Sequence, residues 1–333
     1  MLALGLGYAF CSGICNGLFT APLKMIPRWK WENIWLVFIV TSCLVGPFVI
    51  VSATVPNFPK LFSEAPAGAV VAALLFGFAW GFGAILFGRS VERLGVSVAN
   101  TLVIGISSAL GSLVPLILGG KFSVERRQTL LFLGVSAFVA GVWTCGAASR
   151  RRESSNGPAR GGQWAGYLFA VGAGIMSAVF NIGYSLALPI ASAGERLGLS
   201  HFRSTNCIWM LMLAAGSIPN IVYCAVLSGR NRSLSLFFSD RPAKAWIGSI
   251  VMGCLWGGSI MLYGAAVPLL GDIGPSIGWP LSLAVGLLTA NGVGLALGEW
   301  RRAAPATIRL MQAGIAVLLG AVVLCALSAK ASS

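Results

Sequence analysis

Ten stretches of twenty or more residues carry no Asp, Glu, Lys or Arg: 1–23, 33–59, 65–88, 94–120, 128–149, 161–194, 204–229, 245–271, 273–298 and 310–329. A helix needs about 20 apolar residues to cross the hydrocarbon of a bilayer, and every stretch reaches that length. Backbone groups in lipid must be satisfied within the segment, so each stretch is expected to be a helix rather than open sheet. Charged residues make up 10% of the chain and hydrophobic ones 57%, with a mean hydropathy of +0.85; soluble proteins carry about 25% charge. The expected fold class is an all-α polytopic membrane protein with ten transmembrane helices. The 43 glycines fit it, because clusters such as Gly77, Gly81, Gly83 and Gly88 let helices approach closely.

The chain also repeats itself. Trp80-Gly81, Phe87-Gly88 and Leu94-Gly95 return as Trp256-Gly257, Tyr263-Gly264 and Leu270-Gly271, each 176 residues later. The first Trp-Gly lies in the third stretch and the second in the eighth, so the period is five spans. A repeat with an odd number of crossings sits inverted relative to its partner, the arrangement of secondary transporters. A second echo runs in the same order. Gly7, Ser12, Asn16, Phe19 and Thr20 match Gly172, Ser177, Asn181, Tyr184 and Ser185 at an offset of 165. The one polar linker, 149–163, reads SRRRESSNGPARGGQ. It divides the chain into a first five-helix repeat, 1–148, and a second, 164–333. Between 228 and 244 the segment SLSLFF reads either as a short amphipathic surface helix or as loop.

The net charge of +14 and pI of 10.0 are explained by distribution, not by a polyanionic partner; no nucleic acid is implied. Sixteen of the 23 Lys and Arg fall in the odd-numbered loops, among them Lys24, Arg89, Arg93, Arg150, Arg151, Arg152 and Arg301. Short loops rich in Lys and Arg stay cytoplasmic, so 149–163 is expected inside and both termini outside. No basic region precedes the first stretch and no A-x-A-like site follows it, so it reads as a retained span rather than a signal peptide. The eight cysteines all lie in apolar stretches without C-x-x-C or Cys/His ligand spacing. They read as packing residues, and no metal or cofactor is expected.

Transporters bind solute near the bilayer midplane, and polar groups inside spans are costly enough to mark function. Asn16 and Asn181 are central in spans one and six and equivalent under the repeat. Trp80 and Trp256 are central in spans three and eight. Asn100 and Asn291 lie deep in spans four and nine, and Asn220 in span seven. Trp279 stands in Pro275-Ser-Ile-Gly-Trp-Pro280, a sequence that breaks or frays a helix start. Amides bond hydroxyls in both directions, and indole faces stack on the C–H surface of a pyranose. An uncharged set of this kind suits a neutral polyol. The substrate-binding candidates are therefore Asn16, Trp80, Asn181, Trp256 and Trp279, followed by Asn100, Tyr184, Tyr263 and Asn291. Each amide has a plainer reading as a cross-link between helices, worth about 0.6 kcal/mol. Trp29, Trp31 and Trp35, beside a loop, read as interface anchors. No carboxylate falls at mid-membrane. Glu299 and Asp272, at span ends, are the proton-coupling candidates, since a partly buried carboxyl is easier to protonate; a solvated helix end is the alternative. His201 reads as a surface residue.

The chain resembles the L-rhamnose–proton symporter family, of the drug/metabolite transporter superfamily, across essentially its whole length. The resemblance is carried by Gly17–Trp35 (GLFTAPLKMIPRWKWENIW), Leu75–Asn100 (LFGFAWGFGAILFGRSVERLGVSVAN), the Pro275–Pro280 turn and Gly298-Glu299-Trp300. It implies a ten-helix carrier of the bacterial inner membrane that takes up a sugar with a proton. Rhamnose-transporting members place His- and Asp-type residues near the end of span six and the start of span nine. Here those stretches read Ala187-Leu188-Pro189-Ile190-Ala191 and Ile273-Gly274-Pro275-Ser276-Ile277.

The function expected is proton-coupled uptake of a monosaccharide by alternating access, with solute, proton and lipid bilayer as the partners. An exporter of the same superfamily shares the topology. An intramembrane enzyme would need a cluster of His, Asp, Glu or Cys in one span, which the chain lacks, and a channel does not need the duplicated Trp-Gly elements.

Overall fold

The computed structural model describes residues 1–22, 26, 28–94, 96–118, 125–154, 163–238, 243–296, 300–301 and 303–330. Among them every regular element is helical: α1 (Leu2–Leu18), α2 (Trp31–Ile39), α3 (Gly46–Thr54), α4 (Phe58–Glu64), α5 (Ala67–Leu94), α6 (Val96–Leu118), α7 (Arg126–Ser154), α8 (Gln163–Arg196), α9 (His201–Arg230), α10 (Ala243–Leu269), α11 (Gly274–Ala296) and α12 (Pro305–Lys330). A π-helical turn, Val40–Val45, joins α2 to α3, so that Trp31–Thr54 forms a single 24-residue apolar span. Pro47 follows after Gly46; it has no N–H to give the ladder, and a widened turn is one way a helix absorbs that loss.

Nine of the helical segments are long and apolar enough to cross a bilayer. They coincide with nine of the ten uncharged stretches, and the all-α polytopic membrane class is borne out. The first stretch forms the shorter α1, of 17 residues, or about 26 Å at 1.5 Å per residue. Large apolar side chains such as Leu75, Trp143, Val222 and Ile247 point outward, as a surface solvated by lipid tails requires.

The connections left open by the sequence are resolved. α8 runs on to Arg196 and is closed by Gly198 at φ +81°, with the Leu199 N–H bonded to the Gly194 carbonyl at 3.0 Å. That is the left-handed glycine closure of a helix end. SLSLFF contains a 3₁₀ helix, Leu234–Phe238, onto which Trp29 donates its indole N–H through the Leu236 carbonyl at 3.0 Å.

The described chain forms two compact units. The first comprises Met1–Gly17, Gly83–Ile182 and Ala266–Ser333; the second comprises Leu18–Phe82 and Gly183–Ala265. Each therefore draws residues from both sides of the 149–163 linker. In the first unit one cluster centres on Leu116, Leu131, Val135, Ile277 and Leu281, and another on Phe138, Val142, Met311 and Leu318. α1 lies directly against α11 there: a Cβ on Gly17 would run into the Gly286 carbonyl oxygen. In the second unit α5 and α9 approach as closely, a Cβ on Gly81 meeting the Gly216 carbonyl.

Candidate functional site

In the second unit the central aromatics form a continuous row. Trp80 from α5 stacks on Trp256 from α10, centroids 5.3 Å apart and planes 13° from parallel. Trp256 and Phe38 of α2 meet edge to face at 5.8 Å, and Phe38 in turn packs on Trp35 at 4.8 Å and Phe19 at 5.8 Å. Trp35 stacks on Trp31 at 5.1 Å. The row has a polar spine. Trp35 Nε1 donates to Asn220 Oδ1 at 3.1 Å, and Asn220 Nδ2 donates to the carbonyls of Gly81 (2.9 Å) and Gly216 (3.1 Å). Trp80 is buried, stacked on Trp256 and close to the Gly216 backbone, where a Cβ would meet its Cε3 at 2.7 Å. Trp256 is only half-buried.

A second aromatic group in the same unit is tighter. Tyr184 of α8 and Trp209 of α9 stack at 4.3 Å with planes 4° apart, and Tyr263 of α10 tilts against both. All three are fully buried. Tyr184 donates its hydroxyl to the Gly264 carbonyl at 2.8 Å. One turn before Trp209, Asn206 is 0% exposed, and neither its Oδ1 nor its Nδ2 has a hydrogen-bond partner.

In the first unit three i, i+4 pairs on three helices meet. Trp279 Nε1 donates to the Ser107 carbonyl at 3.2 Å and lies 3.1 Å from Ser107 Oγ, which bonds Ser177 Oγ at 2.8 Å. Asn181, one turn beyond Ser177, donates to the carbonyls of Gly111 (2.7 Å) and Pro275 (3.3 Å). The expected break around Pro275–Pro280 is instead a continuous helix start, with Ser276 and Ile277 bonded back to Ile273. Pro275 sits comfortably in the first turn because the N–H it lacks has no helical acceptor there, whereas Pro280 lies inside the continuous helix.

Asn16 lies on the α11 side of α1, its Nδ2 3.2 Å from where a Cβ on Gly286 would stand. Beside it Ser12 and Ser282 share a hydrogen bond at 2.7 Å. Asn291 is half-buried on α11, with Nδ2 unbonded. The side chain of Asn100 and the whole of Glu299 lie outside the described residues. Asp272 is exposed and paired with Arg127 at 2.5 Å. His201 is at the surface, its Nδ1 2.7 Å from Glu195 Oε1.

Sequence reasoning missed several participants. Trp35 is an internal hydrogen-bond donor and Trp29 is buried under the 3₁₀ helix, so neither is a simple interface anchor. Trp209 and Asn206 carried no repeat signal. Glu32 is 2% exposed at the start of α2, and its Oε1 accepts from Asn231 Nδ2 (2.9 Å) and Ser233 Oγ (2.7 Å). Its place beside Trp31 in the basic Lys30 segment hid it among loop charges.

Comparison with known proteins places this arrangement. The family model described as L-rhamnose-proton symport protein (RhaT) matches residues 1–331. The chain belongs to that family. Relatives named L-rhamnose-proton symporter in Escherichia coli O1:K1 / APEC, in Klebsiella pneumoniae strain 342 and in Shigella boydii serotype 18 are each 26% identical over 331 residues, covering 96% of this chain and 95% of theirs. A crystal structure 16% identical in sequence covers 99% of this chain and 96% of its own at a TM-score of 0.54, which shows a shared fold. Membership in a symport family makes the chain a multi-pass membrane transporter and not an enzyme.

Proposed function

We propose that the chain takes up a monosaccharide, L-rhamnose or a related sugar, together with a proton, by alternating access in a bacterial inner membrane. The observation that carries this reading is the end-to-end match to the symport family. The aromatic and amide-rich interior supports a neutral polyhydroxyl solute over an ion. Trp256 supplies a stacking face. Asn206, whose buried amide has both a donor and an acceptor unused, supplies hydroxyl recognition in the same unit. Trp80 backs Trp256, and Tyr263 packs with Tyr184 and Trp209. In the first unit Asn16 and Asn291 are the amides proposed for solute contact, with Trp279 of α11 and Asn100 of α6 as secondary candidates.

For the proton, Glu299 remains the proposed carrier. Asp272 is the weaker of the two, because it is exposed and already engaged by Arg127. The two five-helix halves, 1–148 and 164–333, are proposed as inverted repeats, with α1 as the first of ten spans and both termini outside. The asymmetry of basic loops supports that orientation. A cysteine replacing Arg150, labelled with a membrane-impermeant maleimide only after the cytoplasmic side is opened, is the result it requires; labelling from outside reverses it.

The test of function is uptake of radiolabelled sugars, rhamnose included, into cells expressing the chain, with and without an uncoupler. Uptake of one sugar that collapses with the uncoupler supports the reading. Well-expressed protein that accumulates no sugar defeats it. The exporter alternative has no observation of its own in its favour.

A further inference from the structure

Two of the polar contacts described above share an origin. In an α-helix the N–H of each residue bonds the carbonyl four residues earlier, and proline has no N–H. Pro115 inside α6 therefore leaves the Gly111 carbonyl without its helical partner, and Pro268 inside α10 leaves the Gly264 carbonyl in the same state. Those are the two carbonyls bonded by Asn181 and by Tyr184. The local sequences are alike, Gly111-Ser-Leu-Val-Pro115 and Gly264-Ala-Ala-Val-Pro268. So is their covering. A Cβ on Gly111 would meet the Trp279 indole at 2.8 Å, and one on Gly264 would meet the Trp209 indole nitrogen. Each break thus combines a freed carbonyl, a glycine that admits a side chain to it, a tryptophan across that glycine, and a donor from α8. The offset between the two breaks, 153 residues, is neither of the repeat offsets, so duplication does not account for the likeness.

We infer that Asn181 and Tyr184 are positioning residues of the transport cycle: they brace the proline breaks of α6 and α10 in this conformation, and their release lets the ends of these helices bend. A freed carbonyl in an apolar span has to find a donor, so the brace fixes which bend is stable. The donors stand three residues apart on α8. Removing a brace while the proline stays leaves a buried carbonyl unpaired; replacing the proline restores the helical bond and makes the brace redundant. The transport part of this inference rests on the uptake function proposed above; the pairing of brace and break does not.

The experiment is a double-mutant cycle on purified full-length protein, read by thermal unfolding, with uptake kinetics measured alongside. Tyr184→Phe is expected to lower Tm by on the order of 2 °C in the native background and to have no effect on Tm in a Pro268→Ala background. Asn181→Ala and Pro115→Ala form a second, independent cycle, which serves should either member of the first pair fail to fold. Pro268→Ala is expected to raise Tm while lowering maximal uptake about tenfold at unchanged KM, a split that a purely structural proline does not produce. Equal Tm losses from Tyr184→Phe, or from Asn181→Ala, in both backgrounds overturn the brace. Full maximal uptake by Pro268→Ala and Pro115→Ala overturns its role in transport while leaving the brace intact. Should wild-type protein take up no sugar at all, the proposed function fails, and the two Tm cycles still decide the brace.

Discussion

Trp80 lies flat on Trp256, with Trp80 buried against the Gly216 backbone and Trp256 only half-buried. The two residues stand 176 positions apart, each followed by a glycine, yet play unequal parts. A buried ring contributes packing; a half-buried ring can also receive a solute. Trp256→Ala is therefore expected to raise KM for the transported sugar about tenfold, the weight of one ring contact of roughly 1.4 kcal/mol, while Trp256→Phe retains most of the affinity. Trp80→Ala acts on stability instead, by about 3 kcal/mol for removal of a buried indole, and lowers protein abundance. Transport kinetics and thermal unfolding on the three variants separate the effects. Wild-type KM in Trp256→Ala at normal abundance refutes the platform.

The Trp35–Asn220 bond ties the start of α2 to α9. Trp35→Phe keeps the aromatic packing against Phe38 and deletes only the N–H, leaving Asn220 Oδ1 without that donor. A buried acceptor stripped of its partner costs about 1–3 kcal/mol. Unfolding in detergent is expected to show that loss in Trp35→Phe. The double variant Trp35→Phe/Asn220→Leu, which removes both halves of the bond, is expected to be no worse than Asn220→Leu alone. A full additive loss in the double variant rejects the coupling.

How much of this was legible beforehand follows from what each signal measures. Charge-free length is a property of single segments, and it located nine long helices and the all-helical class directly. The repeat picked out Trp80, Trp256, Asn16 and Asn181 because identity at a fixed offset needs no knowledge of partners. It could not say that Asn181 and Tyr184 direct their donors to the carbonyls of Gly111 and Gly264, because that depends on which helices pack together. The proline signal was present: a Gly four residues before a Pro, twice, inside uncharged stretches. Read as a freed carbonyl in need of a donor, each motif predicts a polar side chain from another helix. Asn206 and Glu32 were passed over for opposite reasons. The first has no repeat partner, and the second sits among loop charges although the fold buries it.

Asn206 offers a test that sets stability against function. Its amide is buried with neither polar atom bonded, so an apolar side chain of similar size removes a desolvation penalty of about 1–3 kcal/mol. Asn206→Leu is expected to raise Tm and at the same time to weaken sugar uptake, chiefly through KM. A variant that is both more stable and fully active shows that the amide does not contact the solute.

Close approach of α1 to α11 makes a sharp contrast between two glycines on one helix. A Cβ on Gly17 runs into the Gly286 carbonyl and the Thr289 side chain, whereas one on Gly7 meets nothing within 4 Å. Gly17→Ala must push the helices apart, an overpacking strain of about 1–3 kcal/mol, and is expected to reduce abundance in the membrane. Gly7→Ala is expected to leave abundance unchanged or slightly raised. Equal behaviour of the two variants on a quantitative membrane blot contradicts the packing of α1 described here.

Glu32 closes the second unit at the end of α9. Its carboxylate takes the Asn231 amide and the Ser233 hydroxyl, while Asn33 Nδ2 donates to the Ser233 carbonyl at 3.0 Å and Lys30 Nζ to the Asn231 carbonyl at 3.0 Å. Four consecutive contacts of this kind hold the α2 start to the segment after α9. Hydrogen bonds to a charged group contribute roughly 1.5–3 kcal/mol. Glu32→Ala forfeits both bonds and strands the buried Ser233 hydroxyl, so a loss in that range is expected, with faster proteolysis at 231–238. Glu32→Gln keeps an acceptor oxygen in place and loses only the charge, so its destabilisation is expected to be about half as large. The ordering wild type, Gln, Ala in both unfolding and limited proteolysis identifies the carboxylate as a latch. Equal stability of all three variants removes that role and leaves Glu32 as a buried end-cap of α2 alone.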